Sequence, residues 1–307
     1  MSAEQARSFT FLVNPASGGG AAPQAVVPVA AALRAGGATV DVTYSPGPKA
    51  MGALVRAAVA KGDVVVSVGG DGMLSSLAGL VAQEHGTLAV VPAGRGNDFA
   101  RMLGIPDEAE AVAALLLDAA PRPVDLVRLT LPGVPEARVV AGSVYCGVDA
   151  RAGEIVDKAH WLPSKIQYPY AALRALATYK PGSFMVSVDG DERRYEAASV
   201  VVANSGYYGK GMKIAPAAKV DDGLLDVVVI EAASKLELMR SLPKVYDGGH
   251  VDLPEVTVLT GTRVELRADA ARPVPVGGDG EPLGSLPPLS GEPAVVEVLP
   301  GALTVIA

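Results

Sequence analysis

Cysteine, histidine, tryptophan and long apolar runs are all scarce in this chain of 307 residues. The single Cys146 leaves no disulfide within the chain and no cysteine metal cluster. His85, His160 and His250 are the only histidines and lie far apart, so no His-Glu-x-x-His zinc motif exists. Basic residues are outnumbered: 26 Lys and Arg face 33 Asp and Glu, a formal net charge of −7. Such a balance argues against nonspecific nucleic-acid binding and against broad adhesion to anionic membranes, although a local basic patch can survive inside an acidic total. No apolar run approaches the roughly 18 residues that span a bilayer. The N-terminus is polar and leads into a short apolar run at 9–13, too brief for a signal-peptide core. These absences point to a cytosolic protein without a transmembrane segment.

Half of the residues are apolar, enough for substantial cores, and the length suggests two domains. Through the first 125 residues two periods alternate. Strand-like runs at 9–13, 39–44, 64–68 and 88–91 are separated by helical patterns at 23–35, 48–61, 73–85 and 107–118. Strands alternating with helices imply an α/β, Rossmann-like, mostly parallel sheet covered on both faces. After about residue 125 strand-like runs dominate, at 138–144, 184–189, 199–203, 224–230, 263–267 and 295–299, with helical stretches near 150–160, 168–179 and 234–246. This half reads as a β-rich second domain.

Three glycine-rich turns each follow a predicted strand of the first domain: Asn14-Pro15-Ala16-Ser17-Gly18-Gly19-Gly20, Gly69-Gly70-Asp71-Gly72 and Pro92-Ala93-Gly94-Arg95-Gly96-Asn97-Asp98. Ligands of open parallel sheets bind outside the carboxyl ends of the strands. Glycines there let backbone N–H groups approach phosphate, and the following helix N-termini favour anions. One such turn is ordinary α/β punctuation; three with polar side chains at one sheet edge point to a phosphate site. The Walker pattern is absent, and Gly70-Asp71-Gly72-Met73-Leu74-Ser75 only approximates the dinucleotide fingerprint, with an acid where pyrophosphate would lie. That makes a dinucleotide oxidoreductase a minor alternative. An aspartate in a glycine turn fits better beside Mg²⁺-bridged phosphates.

With Asp279-Gly280-Glu281 far downstream, these motifs resemble the diacylglycerol kinase catalytic family, the soluble bacterial lipid kinases related to sphingosine kinases and more distantly to NAD kinases. The resemblance covers nearly the whole chain, and the three motifs in order are specific as a set. It implies an N-terminal α/β nucleotide domain (1–125, with 295–307 returning to it), a C-terminal β-sandwich-like lipid-substrate domain (126–294), and an active site in the cleft between them. It implies ATP and Mg²⁺ as cofactors and a lipid hydroxyl as acceptor, diacylglycerol by default. Asn14, Pro15, Ala16, Ser17, Gly18 and Ser45 would line the nucleotide site. Gly70, Asp71, Gly72, Met73, Leu74, Ser75 and Ser76 would wrap the phosphates, and Arg95, Asn97 and Asp98 would close the pocket. Asp71, Asp98 and Asp125 match carboxylates of a Mg²⁺ and water network. Glu281 matches the proposed general base, with Asp279 beside it. Lys219, Asp222 and Leu224 match a structural Mg²⁺ loop, which reads equally as an Asp-Gly turn opening a strand. The segment 204–211 looks like a family loop near the acceptor.

The sequence departs from the family where threonine is usual: Met73 follows the second glycine turn and Arg95 sits in the third. Ser75 and Ser76 replace an Asn and a Glu. Two hydroxyls that could meet phosphate are lost, while Arg95 offers a charged, bidentate contact or else blocks the nucleotide site. An NAD kinase-like enzyme and a decayed nucleotide- or lipid-binding regulator are the rivals. The expected enzyme is cytoplasmic, visits the membrane surface for its lipid, binds no nucleic acid, and leaves a homodimer open. Trp161, Tyr168 and Tyr170 read either as a lipid entrance or as core packing.

Overall fold

Alternating β-branched runs and alanine-rich helices build a parallel sheet in the first part of the chain. A computed structural model of the protein describes residues 7–307 other than His160 and Tyr179. It divides into two units, one running to Leu126 and joined by Pro300–Ala307, the other spanning Val127–Leu299.

The first unit begins β1 (Ser8–Val13), α1 (Ala22–Ala35), β2 (Thr39–Tyr44), α2 (Pro48–Ala60), β3 (Val64–Gly69), α3 (Asp71–Gln83), β4 (Thr87–Pro92), α4 (Asp98–Leu103) and α5 (Ala109–Asp118). β2, β1, β3 and β4 lie side by side, all parallel. Helices can cover both faces of such a sheet, and its central strands are buried accordingly: Phe11, Leu12, Val65, Val66, Leu88 and Ala89 have no exposed surface. α4 was not visible as a helical pattern. It is a single short run opened by Asn97 in the left-handed region, φ 54°.

The second unit is mainly antiparallel. The chain enters through β5 (Pro121–Thr130) and continues through β6 (Arg138–Val140), β7 (Ser143–Gly147), α6 (Val148–Lys158), α7 (Ser164–Thr178), β8 (Gly182–Val188), β9 (Asp191–Ala203), β10 (Leu225–Glu231), α8 (Lys235–Ser241), α9 (Lys244–Asp247), β11 (Val256–Gly261), β12 (Arg263–Asp269), β13 (Pro275–Gly278), β14 (Glu281–Ser285) and β15 (Ala294–Ile306). β9 is the hub, pairing antiparallel with β7, β8 and β10. Its second half is buried on both faces. Val200 and Val202 join one core with Val144, Cys146 and Val227, whereas Val201 and Ala203 join another with Ile214 and Val228. The first part of β15 pairs with β12, and its end, at Thr304 and Val305, lies parallel to β4.

Several boundaries differ from the sequence pattern, β9 for one beginning at Asp191 before the expected 199. The expected strand at 138–144 is broken into β6 and β7, because the amides of Ala141, Gly142 and Ser143 turn to bind the carboxylate of Asp279. The expected helix at 234–246 divides into α8 and α9 around Pro243, which lacks the N–H needed to continue a helix. α7 starts at Ser164, before the expected 168.

Candidate active site

In the first unit the three glycine turns stand at neighbouring strand ends, because β1, β3 and β4 are adjacent and in register. Asn14 N donates to Val68 O (3.1 Å), and Ala93 N to Gly69 O (3.0 Å). The turns touch so closely that only glycine fits. A Cβ on Gly94 would lie 2.7 Å from Asn97 Oδ1 and closer still to Gly70 Cα, and one on Gly18, where φ is 63°, would strike Ala93 O. Asn14 closes the first turn by accepting from Ala16 N (3.0 Å). Pro15 and Ala16 stay exposed, and the Ser17 hydroxyl lies beside Gly69. Ser45 N donates to Val13 O (2.8 Å), and its hydroxyl turns to Met51 Sδ and Gly47 N, so it shapes the neighbouring turn.

Asp71 opens α3, where first-turn amides have no acceptor within the helix. Its Oδ1 accepts from Phe99 N (3.2 Å), tying α3 to the start of α4. Asp71 Oδ2 and Asp98 Oδ2 flank Gly96 from two sides, 2.8 and 3.2 Å from where a Cβ would stand. Two carboxylates converging on a glycine suit a hard divalent cation with retained waters. Asp98 is also paired to Arg101 at 2.7 Å. Arg95 is exposed, and its Nη2 comes to 4.0 Å of the position a Gly19 Cβ would take, so the guanidinium reaches over the first turn.

Some expected phosphate ligands have other work. Leu74 is buried in the core, and its N–H is spent on Gly70 O (3.1 Å). Ser75 is buried, whereas Met73 is half-buried and Ser76 exposed. The Asn97 side chain closes its own turn, its Oδ1 accepting from Gly94 N (2.9 Å). Asp125, almost wholly buried on β5, accepts from Gly301 N (2.7 Å) in the returning C-terminal segment.

In the second unit Glu281 begins β14 after a two-residue hairpin, Asp279-Gly280, with both residues at positive φ (46° and 88°). That is the primed turn which matches strand twist. The Asp279 carboxylate turns to the backbone: its two oxygens accept from Ala141 N, Gly142 N and Ser143 N at 2.7–3.1 Å. Such charge-assisted bonds to backbone amides fix the tip of the hairpin from which Glu281 projects. Gly280 N donates to the Tyr145 hydroxyl (3.1 Å). Asn204 completes the anchor: its Nδ2 donates to Ala141 O (2.9 Å), and its own N–H to Gly142 O (2.8 Å).

Exposed Glu281 lines a small open pocket together with Tyr145, Ala150, Gly153, Glu154 and Gly277. Glu154, ion-paired to Arg151 at 2.6 Å, was missed by sequence reasoning, as were Gly142 and Tyr145, since none lies in a recognisable motif. Behind the wall Tyr145 meets Tyr208 edge-on, centroids 5.7 Å apart. Tyr208 in turn hydrogen-bonds Asp149, which also accepts from the Ser199 hydroxyl. Burial raises the Asp149 carboxyl above the ordinary carboxylate range, with the hydrogen bonds from Ser199 and Tyr208 opposing it. Burial likewise pushes the Cys146 thiol up to about 12.

Asp222 accepts from Leu224 N (3.1 Å), a local turn closure that leads into β10. Among the described residues no group of three His, Cys, Asp or Glu side chains forms a cluster that could hold a metal ion. Lys219 and Leu224 can add only backbone carbonyls to that loop. Tyr170 is half-buried on α7, Trp161 is exposed, and the Tyr168 side chain and His160 lie outside the described residues.

The diacylglycerol kinase catalytic domain matches residues 8–129, and the YegS C-terminal NAD kinase beta sandwich-like domain matches 142–307. A diacylglycerol kinase of Mycobacterium tuberculosis is 33% identical over 97% of this chain and 98% of its own. The chain belongs to the diacylglycerol kinase and YegS-like lipid kinase family. A probable YegS-like lipid kinase of Pseudomonas aeruginosa is 31% identical over 87% of this chain and 83% of its own. A solved diacylglycerol kinase structure from Bacillus anthracis str. Sterne shares the fold, with a TM-score of 0.68 at 20% identity over 98% of this chain and 96% of that one. The family is one of phosphotransferases, and kinase membership implies nucleotide use. The sandwich-like second domain and the parallel first sheet are therefore family features. Among the described residues no helix is long and apolar enough to cross a membrane.

Proposed function

We propose that this lipid-kinase family member transfers the γ-phosphoryl group of ATP to a lipid hydroxyl with Mg²⁺, diacylglycerol being the reference acceptor. The observation that carries the reading is the convergence of Asp71 and Asp98 on Gly96, at the edge where three glycine turns interlock and α3 begins. The glycine turns and the α3 N-terminus bind the donor phosphates. Asp71 and Asp98 would hold the cation, which would neutralise the charge that develops on the phosphates. Arg95 supplies a guanidinium toward the same oxygens, in place of the hydroxyl that the family usually carries.

On the acceptor side Glu281 takes the proton of the lipid hydroxyl as its oxygen bonds to the γ-phosphorus and the bond to the bridging oxygen breaks, releasing ADP. Asp279, Tyr145 and the 141–143 turn hold the hairpin that presents Glu281. Lys219, Asp222 and Leu224 serve the fold as a loop that can bind Mg²⁺. The enzyme acts at the membrane surface and needs no membrane-spanning segment.

Turnover of labelled ATP against diacylglycerol, a sphingoid base and NAD tests the reading. Label appearing in a lipid phosphate supports it. Label appearing only in a phosphorylated dinucleotide supports the NAD kinase-like reading, and nucleotide binding without transfer supports the regulator.

A further inference from the structure

α7 is apolar on two sides. Ala171, Ala175 and Leu176 face the core of the second unit. On the opposite side Ile166, Tyr170, Leu173 and Ala177 recur at helical spacing and form one narrow stripe. Ile166 is 49% exposed and Leu173 54%, although burial of such side chains is ordinarily favourable. Trp161, just ahead of the helix, is 71% exposed and meets Tyr170 edge-on at 6.0 Å. α8 packs beside α7, its Lys235 ammonium donating to Ala177 O, and adds exposed Leu236 to the same region.

Charge distinguishes this face from the rest of the molecule. Residues 158–188 contain no Asp or Glu, within a chain of net charge −7, and Lys158, Arg174 and Lys180 among them are exposed. The Arg174 guanidinium sits over the Tyr170 ring at 5.9 Å and donates to its hydroxyl at 2.5 Å. On α8 the Glu237 carboxylate is turned back to Ser234 N at 2.9 Å. An exposed Trp, aliphatic residues on one helix face and a basic rim are the chemistry of an interfacial helix, with the rings and chains at headgroup depth and the cations among lipid phosphates.

We infer that the outer face of α7, with Trp161 and the adjoining edge of α8, docks the protein on an anionic bilayer surface. A water-soluble partner protein would not call for cations at the rim of an acidic molecule, whereas anionic headgroups do. The inference rests on the lipid-kinase reading for its purpose, since a lipid acceptor must be reached at a bilayer. Its test needs no turnover and therefore stands or fails separately from that reading.

Trp161 is the chain's only tryptophan, so its emission reports the face alone. Titration with vesicles of phosphatidylcholine mixed with phosphatidylglycerol shifts the emission to the blue, and phosphatidylcholine vesicles alone leave it nearly unchanged. In vesicle co-sedimentation Leu173→Ser and Trp161→Ser each weaken partitioning by roughly 10-fold or more, the scale of one large apolar side chain. Arg174→Gln weakens it on anionic vesicles only, and added salt does the same to the parent. Circular dichroism and unfolding temperature confirm that the variants fold, as their exposure implies. Binding to anionic vesicles with Trp161 emission unchanged, or Leu173→Ser binding like the parent, overturns the proposal. So does a parent dimer that Leu173→Ser converts to a monomer in light scattering, because the face would then belong to a second copy.

Discussion

At the residue scale Arg95 is the sharpest departure from the family pattern, and its position decides between two roles. The guanidinium reaches over the first glycine turn, its Nη2 4.0 Å from the position a Gly19 Cβ would take. A contact with donor phosphates would then contribute about 1.5–3 kcal/mol, the usual range for charged hydrogen bonds. Arg95→Ala therefore weakens ATP more than adenosine, with the difference shrinking at high salt, and Arg95→Thr recovers part of the loss. Calorimetry with both ligands checks this, and tighter ATP binding by the Ala variant would show that Arg95 blocks the site. Cys146 gives a second test. Its thiol is buried and pushed up to about 12, so almost no thiolate exists at pH 8. A colorimetric thiol reagent should leave the native protein unlabelled and find one thiol per chain in guanidinium.

At the scale of elements the hairpin carrying Glu281 depends on a turn far from it in sequence. Asp279 reaches back to amides at 141–143, and Gly142 must lack a side chain because a Cβ there would stand 2.7 Å from Asp279 Oδ1. Gly142→Ala should cost about 1–3 kcal/mol through this overlap. Asp279→Asn, which keeps the shape but loses the charge, should lower turnover while leaving ATP affinity intact; equal losses in both would place Asp279 in nucleotide binding. Motifs in order made both ends of the site legible, because each glycine turn and the Asp-Gly-Glu triplet are local in sequence. The anchors were not, since Gly142, Tyr145 and Asn204 act through contacts that only the fold creates. The same contacts broke the expected strand at 138–144. Leu74, expected in the segment that wraps the phosphates, is buried because the glycine motif continues into a helix whose register turns that residue inward.

At the scale of the whole molecule the strand and helix periods of the first unit were legible in outline, since β-branched runs and glycine stops alternate clearly. The second unit was less so, because the second half of β9 is buried on both faces and shows no simple alternation. Its interior also sets a pH response. Burial lowers the His250 imidazole below its ordinary value, against weaker support from Ile214 and Lys244 carbonyls, and its Nε2 lies 3.0 Å from Ile214 O. The unfolded chain therefore takes up more protons as the pH falls below about 6.5, and stability is lost down to the lowered folded value. Asp149 acts oppositely: its raised carboxyl contributes stability below the ordinary carboxylate range, and that is lost as the pH rises through its folded value. Unfolding temperature measured from pH 7 to 5 should fall more steeply in the parent than in His250→Gln. Equal slopes would remove His250 from the account.

The central claim is that Glu281 takes the acceptor proton while the glycine turns of the first unit hold the donor. Steady-state turnover and ATP affinity of Glu281→Gln, measured side by side, test it most directly. The expected result is a fall of about 10²–10⁴-fold in turnover, the range for loss of a general base, with ATP affinity unchanged. Near-normal turnover, or a parallel loss of ATP affinity, would contradict it.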